Sequence, residues 1–234
     1  KKIIEKIRET SWYVEPFDLQ LGKNLLENIR IFDLGNYNVF EVGKKVKKIL
    51  EIKKTPLIFS NSHLSTYYVL KSIPNKPNIL IFDAHLDLKS QYKDKKIYGN
   101  RHLNDATWLR RSMEKGLVSN VFFFGARSCD EDEYEFIKLK KIKIVKKFMK
   151  KGMNNLYISF DFDVYDPSLI SSTEYPEPNG INFEDIRNFL EKSKLKAFIL
   201  DFCLMNLSRS LSNEEAFLIV KTIFEFLSKI NLCL

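Results

Sequence analysis

Two short clusters of acidic and imidazole side chains each follow an apolar run in this sequence. Ile79-Leu80-Ile81-Phe82 leads into Asp83-Ala84-His85-Leu86-Asp87, and Leu156-Tyr157-Ile158-Ser159-Phe160 leads into Asp161-Phe162-Asp163. Side chains at alternate positions of an extended segment point to the same side. A single Asp in such a place is more often a helix cap, and a single His a core residue. The repetition of the pattern nevertheless predicts one shared site.

The charge of these residues indicates metal binding. Asp83, Asp87, Asp161 and Asp163 would bring four negative charges into one cleft, which is untenable without compensation. Two divalent cations balance that charge, and imidazole with carboxylate ligands fits Mn²⁺ well, with Zn²⁺, Co²⁺ and Fe²⁺ left open. Two ions about 3.5 Å apart can hold a bridging water and lower its pKa toward neutrality. We therefore predict a two-metal site that supplies hydroxide.

The elements that must position these clusters have the pattern of a mainly parallel sheet in a three-layer α/β/α fold. Short β-branched or aromatic runs alternate with segments of helical period, which is typical of βαβ units, and such sheets bind ligands at the carboxyl edge. The predicted strands are Ile29–Leu34, Leu57–Ser60, Asn78–Phe82, Val121–Gly125, Lys143–Val145, Leu156–Phe160 and Ala197–Phe202. The predicted helices lie around Val39–Leu50 and at Asn104–Lys115, Asp130–Ile137, Phe183–Lys192 and Asn213–Lys229, the last opened by a Ser212 and Glu215 capping box.

Length and composition fit one α/β domain over residues 1–234. The chain is 44% hydrophobic, which is enough for one continuous core. No apolar run reaches the ~18 residues of a membrane span and no secretory signal is recognisable, so we expect a soluble cytoplasmic protein. The net charge of +8 comes largely from lysines interleaved with apolar residues, which disfavours nucleic-acid binding. Cys129, Cys203 and Cys233 are far apart and are predicted to be buried free thiols.

The two clusters resemble the signatures of the ureohydrolase family, which contains arginase, agmatinase and formimidoylglutamase. The first matches the family pattern D-A-H-x-D, and Ser159 to Pro167 matches S-x-D-x-D-x-x-D-P. Ile58 to His63 lies where the family has G-G-D-H, which supplies one more histidine ligand. The resemblance runs from about Ile31 to the C-terminus and implies an arginase-like fold.

The resemblance also implies how six side chains share two metal ions, with Mn²⁺ as the expected ion. Two carboxylates bridge the ions, and each ion has a further histidine and aspartate of its own. The bridging residues are Asp83 and Asp161, and the remaining pairs are His63 with Asp87 and His85 with Asp163.

The implied reaction needs a proton donor as well as metals. His102, in Gly99-Asn100-Arg101-His102, resembles the family's proton-shuttle histidine and is our predicted general acid. In that reaction a metal-bridging hydroxide attacks a guanidinium or formimidoyl carbon, and urea or formamide leaves with the amine. The family also implies a homo-oligomer, either a trimer or a hexamer.

The segment that binds the substrate guanidinium in this family differs here. The family pattern is D-x-x-E-x-N-P, but residues 201–207 read D-F-C-L-M-N-L, with Leu204 in place of the Glu. A leucine cannot pair with a guanidinium. We predict Glu174, Glu177 and Asp130 as substrate-binding residues. Each also fits an ordinary role, the first two as exposed loop charges and Asp130 as the acidic start of a helix.

Three functions stay open from the sequence. The first is metal-dependent hydrolysis of a C–N bond in a linear guanidino or amidine compound, with agmatine ahead of arginine because no α-carboxylate motif is recognisable. The second keeps the fold and metals but acts on another C–N substrate, such as an acylated amine, because Leu204 would make part of the pocket apolar. The third is a catalytically silent metal-binding homologue that serves as a subunit or binding partner.

Overall fold

A seven-stranded parallel sheet forms the centre of the computed structural model, which describes residues 2–93, 99–146, 153–204 and 211–232. In chain order the strands are β1 (Phe17–Asp18), β2 (Lys23–Asn24), β3 (Leu57–Ser60), β4 (Asn78–Phe82), β5 (Val121–Phe124), β6 (Lys143–Val145), β7 (Met153–Asp161), β8 (Leu195–Cys203) and β9 (Asn231–Leu232). The helices are α1 (Lys2–Ser11), α2 (Val42–Glu51), α3 (Leu64–Ser72), α4 (Trp108–Glu114), α5 (Glu131–Lys140), α6 (Phe183–Lys192) and α7 (Asn213–Lys229).

The central sheet has the strand order β3-β8-β7-β4-β5-β6, and β9 pairs with β8 beside this path. All of its described pairings are parallel. Parallel strands need crossover connections, and each of the helices α3 to α7 lies in the chain between two consecutive strands of this sheet. β1 and β2 form a separate antiparallel pair. The predicted α/β fold with a mainly parallel sheet is therefore confirmed, while a single domain over residues 1–234 stays a prediction.

Two apolar cores, one on each face of the sheet, create the three layers. Successive residues of β4 alternate between them, with Ile79 and Ile81 in one core and Leu80 and Phe82 in the other. This alternation follows from the period of two along a strand. The first core is covered by α2 to α5 and the second by α1, α6 and α7. Burial on both faces explains why the central strands read as continuous apolar runs.

Several predicted elements are confirmed with the same bounds. They are β3, β4, β6, α6 and α7, and Ser212 and Glu215 form the predicted capping box of α7. β5 ends at Phe124, and β7 and β8 are longer than predicted. α5 begins at Glu131 and extends to Lys140, because Asp130 is its N-cap and forms a capping box with Glu133.

Other predicted elements are wrong in place or kind. Residues Ile29–Leu34 do not form a strand, and Ile31, Phe32 and Leu34 are exposed. Asp33 pairs instead with Arg8, and its carboxylate accepts the Gly35 amide, which holds a turn. α4 begins at Trp108 rather than Asn104 because the Asn104 side chain accepts the Ala106 amide in a turn before the helix. α1 and α3 were not predicted at all.

Membrane crossing has no support in the described helices. None of them combines the length and apolar character that a bilayer span needs. A cytoplasmic location stays a prediction.

Candidate metal centre

The order of the strands brings the predicted ligands to one edge of the sheet. β4 and β7 are neighbours, with Phe82 opposite Phe160. Asp83 and Asp161 come directly after these residues and therefore lie side by side. β7 has β4 on one side and β8 on the other, and β3 pairs with β8. The turn after β3 leads to His63, the N-cap of α3. The carboxyl ends of three strands, β3, β4 and β7, thus position the cluster, as expected for an open parallel sheet.

His63 makes the inner half of the cluster. The residue is completely buried, and its Nε2 atom lies 3.1 Å from Asp161 Oδ2 and 3.5 Å from Asp83 Oδ2. The distance from the same nitrogen to Asp87 Oδ2 is 3.9 Å. One imidazole nitrogen therefore faces three carboxylates.

His85 makes the outer half of the cluster and is partly exposed. Its Nδ1 atom lies 2.8 Å from Asp163 Oδ2 and 3.6 Å from Asp83 Oδ1. Its Nε2 atom lies 3.6 Å from Glu177 Oε1, on the open side. Asp83 thus contacts both histidines through different oxygens, and it joins the two halves.

All six predicted ligands are brought together by this geometry. The ligand atoms of His63, Asp83 and Asp87 lie within 4.8 Å of one another, and so do those of Asp83, His85 and Asp163. Asp161 contacts His63 and also accepts the Asp163 amide at 2.8 Å. Four carboxylates and two imidazoles around one buried space form an oxygen and nitrogen donor set that suits a pair of divalent ions. The residues present therefore fit such a pair.

Crowding of like charges changes the acidity of this cluster. Burial, together with the charges of Asp161 and Asp83, raises the pKa of Asp163 to about 8. Burial and the charge of Asp83 likewise raise the pKa of Asp87 well above its usual value. Burial alone would lower the pKa of His85, but its hydrogen bonds to Asp163 and Asp83 raise it to about 12. The cluster therefore needs added positive charge, which protons or metal ions can supply.

Trp108 holds two of the ligands in place and was not predicted as a site residue. Its indole Nε1–H donates a hydrogen bond to Asp87 Oδ2 at 2.7 Å, and its ring stacks on the His63 ring at 5.1 Å. Asp87 has a φ of +53°, in the left-handed region that non-glycine residues rarely adopt. Such a backbone is retained where surrounding contacts fix it, which is common at binding sites.

A buried polar chain behind His63 orients this histidine. His63 Nδ1 lies 3.4 Å from the Thr66 hydroxyl, and this hydroxyl donates to Asp201 Oδ2. The Tyr157 hydroxyl donates to the same carboxylate oxygen at 2.9 Å. A hydrogen-bonded Nδ1 leaves Nε2 free to face the carboxylates. No local sequence signal indicates this chain, because its members come from α3, β7 and β8.

A cavity of about 310 Å³ opens above the cluster. The six predicted ligands line its floor, and Asp130 and Glu177, two of the three predicted substrate-binding residues, line its wall. Glu174 is not among the lining residues. Within the described residues, Lys89 is the one lysine or arginine on the wall, and it pairs with Asp130 and Glu133. Asp130 therefore combines both roles considered for it, as a helix cap and as part of the cavity.

Arg127 fixes the loop that carries Glu177. Like Trp108, it is a residue of the site that the sequence did not predict. Its guanidinium donates to six backbone carbonyls, those of Gly125, Asp163, Val164, Tyr165, Glu177 and Pro178. Ser128 then donates to Glu177 Oε1 at 2.8 Å. Because arginine presents several donors in a rigid plane, Arg127 joins the loop after β7 to the loop that carries Glu177. The side chain of Glu177 is thereby held over the cluster.

His102 does not line the cavity. It is exposed, its backbone amide is bonded to Asn100 Oδ1, and its carbonyl accepts the Thr107 hydroxyl. Residues 94–98, which precede this loop, lie outside the described part of the chain. The role of His102 in proton transfer therefore stays a prediction.

The His102→Ala variant tests that role. If His102 delivers a proton to the leaving amine, metal content should stay unchanged while turnover falls by ~10² to 10⁴, the usual range for a lost general acid. Metal content by elemental analysis and steady-state turnover measure the two effects. An exposed lysine variant, Lys115→Ala, serves as the control and should alter neither. Unchanged turnover in His102→Ala would remove this residue from the reaction.

Leu204 lies in the apolar core rather than at the cavity. It is 5% exposed, and its backbone amide donates to the Ser60 carbonyl at 2.7 Å. Its side chain borders a separate cavity of about 20 Å³, together with Ile3, Phe162, Ile170, Leu211, Ile219, Ser172 and Thr173. The segment that follows, residues 205–210, lies outside the described residues. The idea that Leu204 makes the substrate pocket apolar therefore has no support in the described structure.

The fold and the cluster together define an α/β protein with a candidate two-metal site at the carboxyl edge of its parallel sheet. Comparisons with known proteins identify its family. Residues 5–228 match the model of the arginase family. An uncharacterized 32.2 kDa protein of Methanothermus fervidus is 30% identical over 215 residues, which cover 82% of this chain and 72% of that protein. An N(1)-aminopropylagmatine ureohydrolase of Thermococcus kodakarensis is 27% identical over 241 residues, covering 93% and 80%.

A solved structure gives the same result at the level of the fold. The arginase from Medicago truncatula superposes with a TM-score of 0.79 at 24% identity, covering 96% of this chain and 80% of that chain. The chain therefore belongs to the arginase family. It is a hydrolase of C–N bonds in linear amidines, as the sequence predicts.

Proposed function

We propose that this protein hydrolyses a linear guanidino compound to urea and an amine, with agmatine preferred over arginine. The convergence of four carboxylates and two imidazoles on the floor of one cavity carries this proposal. The acidic wall above that floor favours a cationic substrate. Purified protein loaded with Mn²⁺ and assayed for urea release from agmatine, arginine and an N-acylated amine tests it. Product from the acylated amine without urea from either guanidine would reject it.

We propose two divalent ions as cofactors, Mn²⁺ being the ion that the six oxygen and nitrogen donors fit well. Asp83 and Asp161 would hold both ions. Asp83 contacts His63 and His85 through different oxygens, and Asp161 contacts His63 through Oδ2 and accepts the Asp163 amide through Oδ1. His63 and Asp87 serve the inner ion, and His85 and Asp163 serve the outer ion. When bound, such a pair makes hydroxide available near neutral pH as the nucleophile.

Glu177 is the carboxylate that we propose for the substrate guanidinium. Its Oε1 atom lies 3.6 Å from His85 Nε2 and accepts the Ser128 hydroxyl at 2.8 Å. It therefore stands over the outer half of the cluster, where a substrate carbon would meet the nucleophile. A charged pair here stabilises a bound cation more strongly than a neutral hydrogen bond does. Glu177 thus replaces the family carboxylate that is absent at Leu204.

Asp130 and Glu133 lie further along the wall, where the distal amine of the substrate would lie. Lys89 neutralises part of their charge, so the wall accepts an amine without holding an excess of bare carboxylates. The Thermococcus kodakarensis relative is named for a guanidino polyamine, and such compounds have a cationic tail and no carboxylate. This supports agmatine or a longer guanidino amine as the substrate class.

The pair Glu177→Gln and Glu174→Gln tests the placement of the guanidinium. Glu177→Gln should lower kcat/KM for agmatine by roughly 5- to 30-fold, because a charge-assisted hydrogen bond of about 1.5–3 kcal/mol becomes a neutral one of about 0.5–1.5 kcal/mol. Glu174→Gln removes the same charge from the same loop, at a residue that does not line the cavity, and it should change kcat/KM by less than threefold. Equal effects in both variants would show that Glu177 has no direct contact with the substrate.

We propose that the protein forms a homo-oligomer, with the trimer and hexamer of its family as the expected forms. Large apolar side chains are exposed in the segment between residues 12 and 40, among them Trp12, Leu19 and Phe32, which are 87%, 89% and 79% exposed. Exposed apolar surface of this extent is typical of an interface. Light scattering should give a mass above that of the 27.6 kDa chain, and a monomer at micromolar concentration would contradict the proposal.

A further inference from the structure

Cys203 is a buried thiol next to the proposed metal ligands. It is the last residue of β8 and is 0% exposed. β8 lies between β3 and β7, and Cys203 stands opposite Ser60 on one strand and Asp161 on the other. Its side chain points to the same face of the sheet as that of Asp201, two residues earlier, which contacts Thr66. This is also the face on which His63 lies.

The sulfur lies close enough to the inner half of the cluster to act as a donor. The ligand atoms of His63, Asp161 and Cys203 are all within 4.8 Å of one another. Two atoms bound to one ion at about 2.0–2.3 Å each stand at most about 4.5 Å apart, so a small side-chain movement brings all three into one coordination shell. His63 and Asp161 are already the proposed ligands of the inner ion.

We propose that Cys203 Sγ is a further ligand of the inner metal ion, and that it makes this position selective for a softer ion than Mn²⁺. The inference rests on the proposed two-metal site. When the sulfur binds, an Sγ–metal bond forms and the thiol proton is released to water. Thiolate donors favour Zn²⁺, and they bind Co²⁺ and Fe²⁺ better than the harder Mn²⁺.

The outer position has a different donor set. Asp83, His85 and Asp163 offer only oxygen and nitrogen, and within the described residues no thiol joins this group. The two positions should therefore differ in preference, with a softer ion bound by His63 and Mn²⁺ accepted beside His85. A chain with two equivalent oxygen and nitrogen sites would show no such difference.

Absorption of the Co²⁺-loaded protein tests the sulfur bond directly. Wild-type protein should show a sulfur-to-cobalt charge-transfer band in the near ultraviolet, in addition to the weaker visible bands of bound Co²⁺. Cys203→Ser should remove the charge-transfer band and keep the visible bands. Cys129→Ser is the matched control, because Cys129 also lines the cavity, and it should keep both.

The outcomes separate this inference from the proposed function. Visible bands without a charge-transfer band in wild type would overturn the role of Cys203 and leave the two-metal site standing. Absence of bound Co²⁺ in wild type would overturn both. The wild-type spectrum decides even if Cys203→Ser does not fold, and Cys203→Ala provides a second variant of smaller volume.

A competition measurement adds a readout of selectivity. Wild-type and Cys203→Ser proteins are equilibrated with Zn²⁺ and Mn²⁺ together, and bound metal is measured by elemental analysis. The ratio of Zn²⁺ to Mn²⁺ should fall by at least about tenfold in the variant, in line with the loss of a group that tunes a metal site. An unchanged ratio would show that the sulfur only packs against the His63 ring.

Discussion

Asp161→Asn is expected to lose both metal ions and to lower turnover on the order of 10³-fold or more, equal to roughly 4 kcal/mol of lost transition-state stabilisation. Asp163→Asn is expected to lose mainly one ion. The difference arises because Asp161 is proposed to bridge the two ions, whereas Asp163 serves only the outer ion. An amide oxygen keeps the size of a carboxylate but not its charge, so a bridging position suffers at both ions.

The Asp161→Asn variant should nevertheless keep its fold. Asp161 Oδ1 accepts the Asp163 backbone amide at 2.8 Å, and an asparagine oxygen can accept that same hydrogen bond. Its Oδ2 atom lies 3.1 Å from His63 Nε2, and an asparagine NH₂ group can donate to an unprotonated imidazole nitrogen there. Thermal unfolding in the presence of a chelator should therefore show a cooperative transition near that of wild type.

Elemental analysis after loading with Mn²⁺ and removal of free metal measures the expected loss. Wild type should approach two ions per chain, Asp163→Asn about one, and Asp161→Asn close to none, as bridging requires. Asp132→Asn changes a carboxylate of α5 that pairs with Arg110 and should keep both ions. Equal metal content in Asp161→Asn and Asp163→Asn would remove the bridging assignment.

Much of the sheet could be predicted because its strands are buried on both faces. Residues 79–82 and 121–124 are continuous apolar runs, and Asp83 and Gly125, which follow them directly, mark the strand ends. Ile29–Leu34 is also rich in apolar residues, but it pairs with no strand among the described residues, and Ile31, Phe32 and Leu34 stay exposed. Local composition cannot show whether a partner strand is available.

The six candidate ligands could be found from two motifs and one histidine, while the residues that orient them could not. Trp108, Thr66 and Arg127 act on the site through contacts between distant parts of the chain, as in the hydrogen bond of Trp108 to Asp87. Such contacts depend on how the strands and helices pack, so no regular spacing of residues in the sequence indicates them. Cys203 was predicted to be an ordinary buried thiol for the same reason.

The position of Leu204 decides how a guanidinium is recognised here. By alignment with the family motif, Leu204 removes the substrate carboxylate, which leaves an apolar pocket as one alternative. In the structure its side chain belongs to the core formed with Phe162, Ile170 and Ile219. Glu177 approaches the cluster from a different loop, so the loss of one carboxylate does not leave the cavity without one.

Leu204→Glu is expected to destabilise the fold by several kcal/mol rather than to create a substrate-binding group. The new carboxyl would be buried among apolar side chains, where it is costly when charged and takes up a proton instead. Leu204→Met keeps the volume and the apolar character, and it should cost less than about 1.5 kcal/mol. Chemical denaturation with the same metal content compares the free energies of unfolding of the three proteins.

The pH dependence of that loss identifies its cause. A buried Glu has a pKa above its unfolded value of about 4.3, so in the range between these two pKa values the unfolded chain is ionised while the folded chain keeps its proton. The free energy of unfolding of Leu204→Glu should therefore fall, relative to Leu204→Met, as the pH rises from about 4 toward 7. Wild-type stability in Leu204→Glu throughout this range, with faster urea release from agmatine, would place residue 204 at the cavity and overturn its assignment to the core.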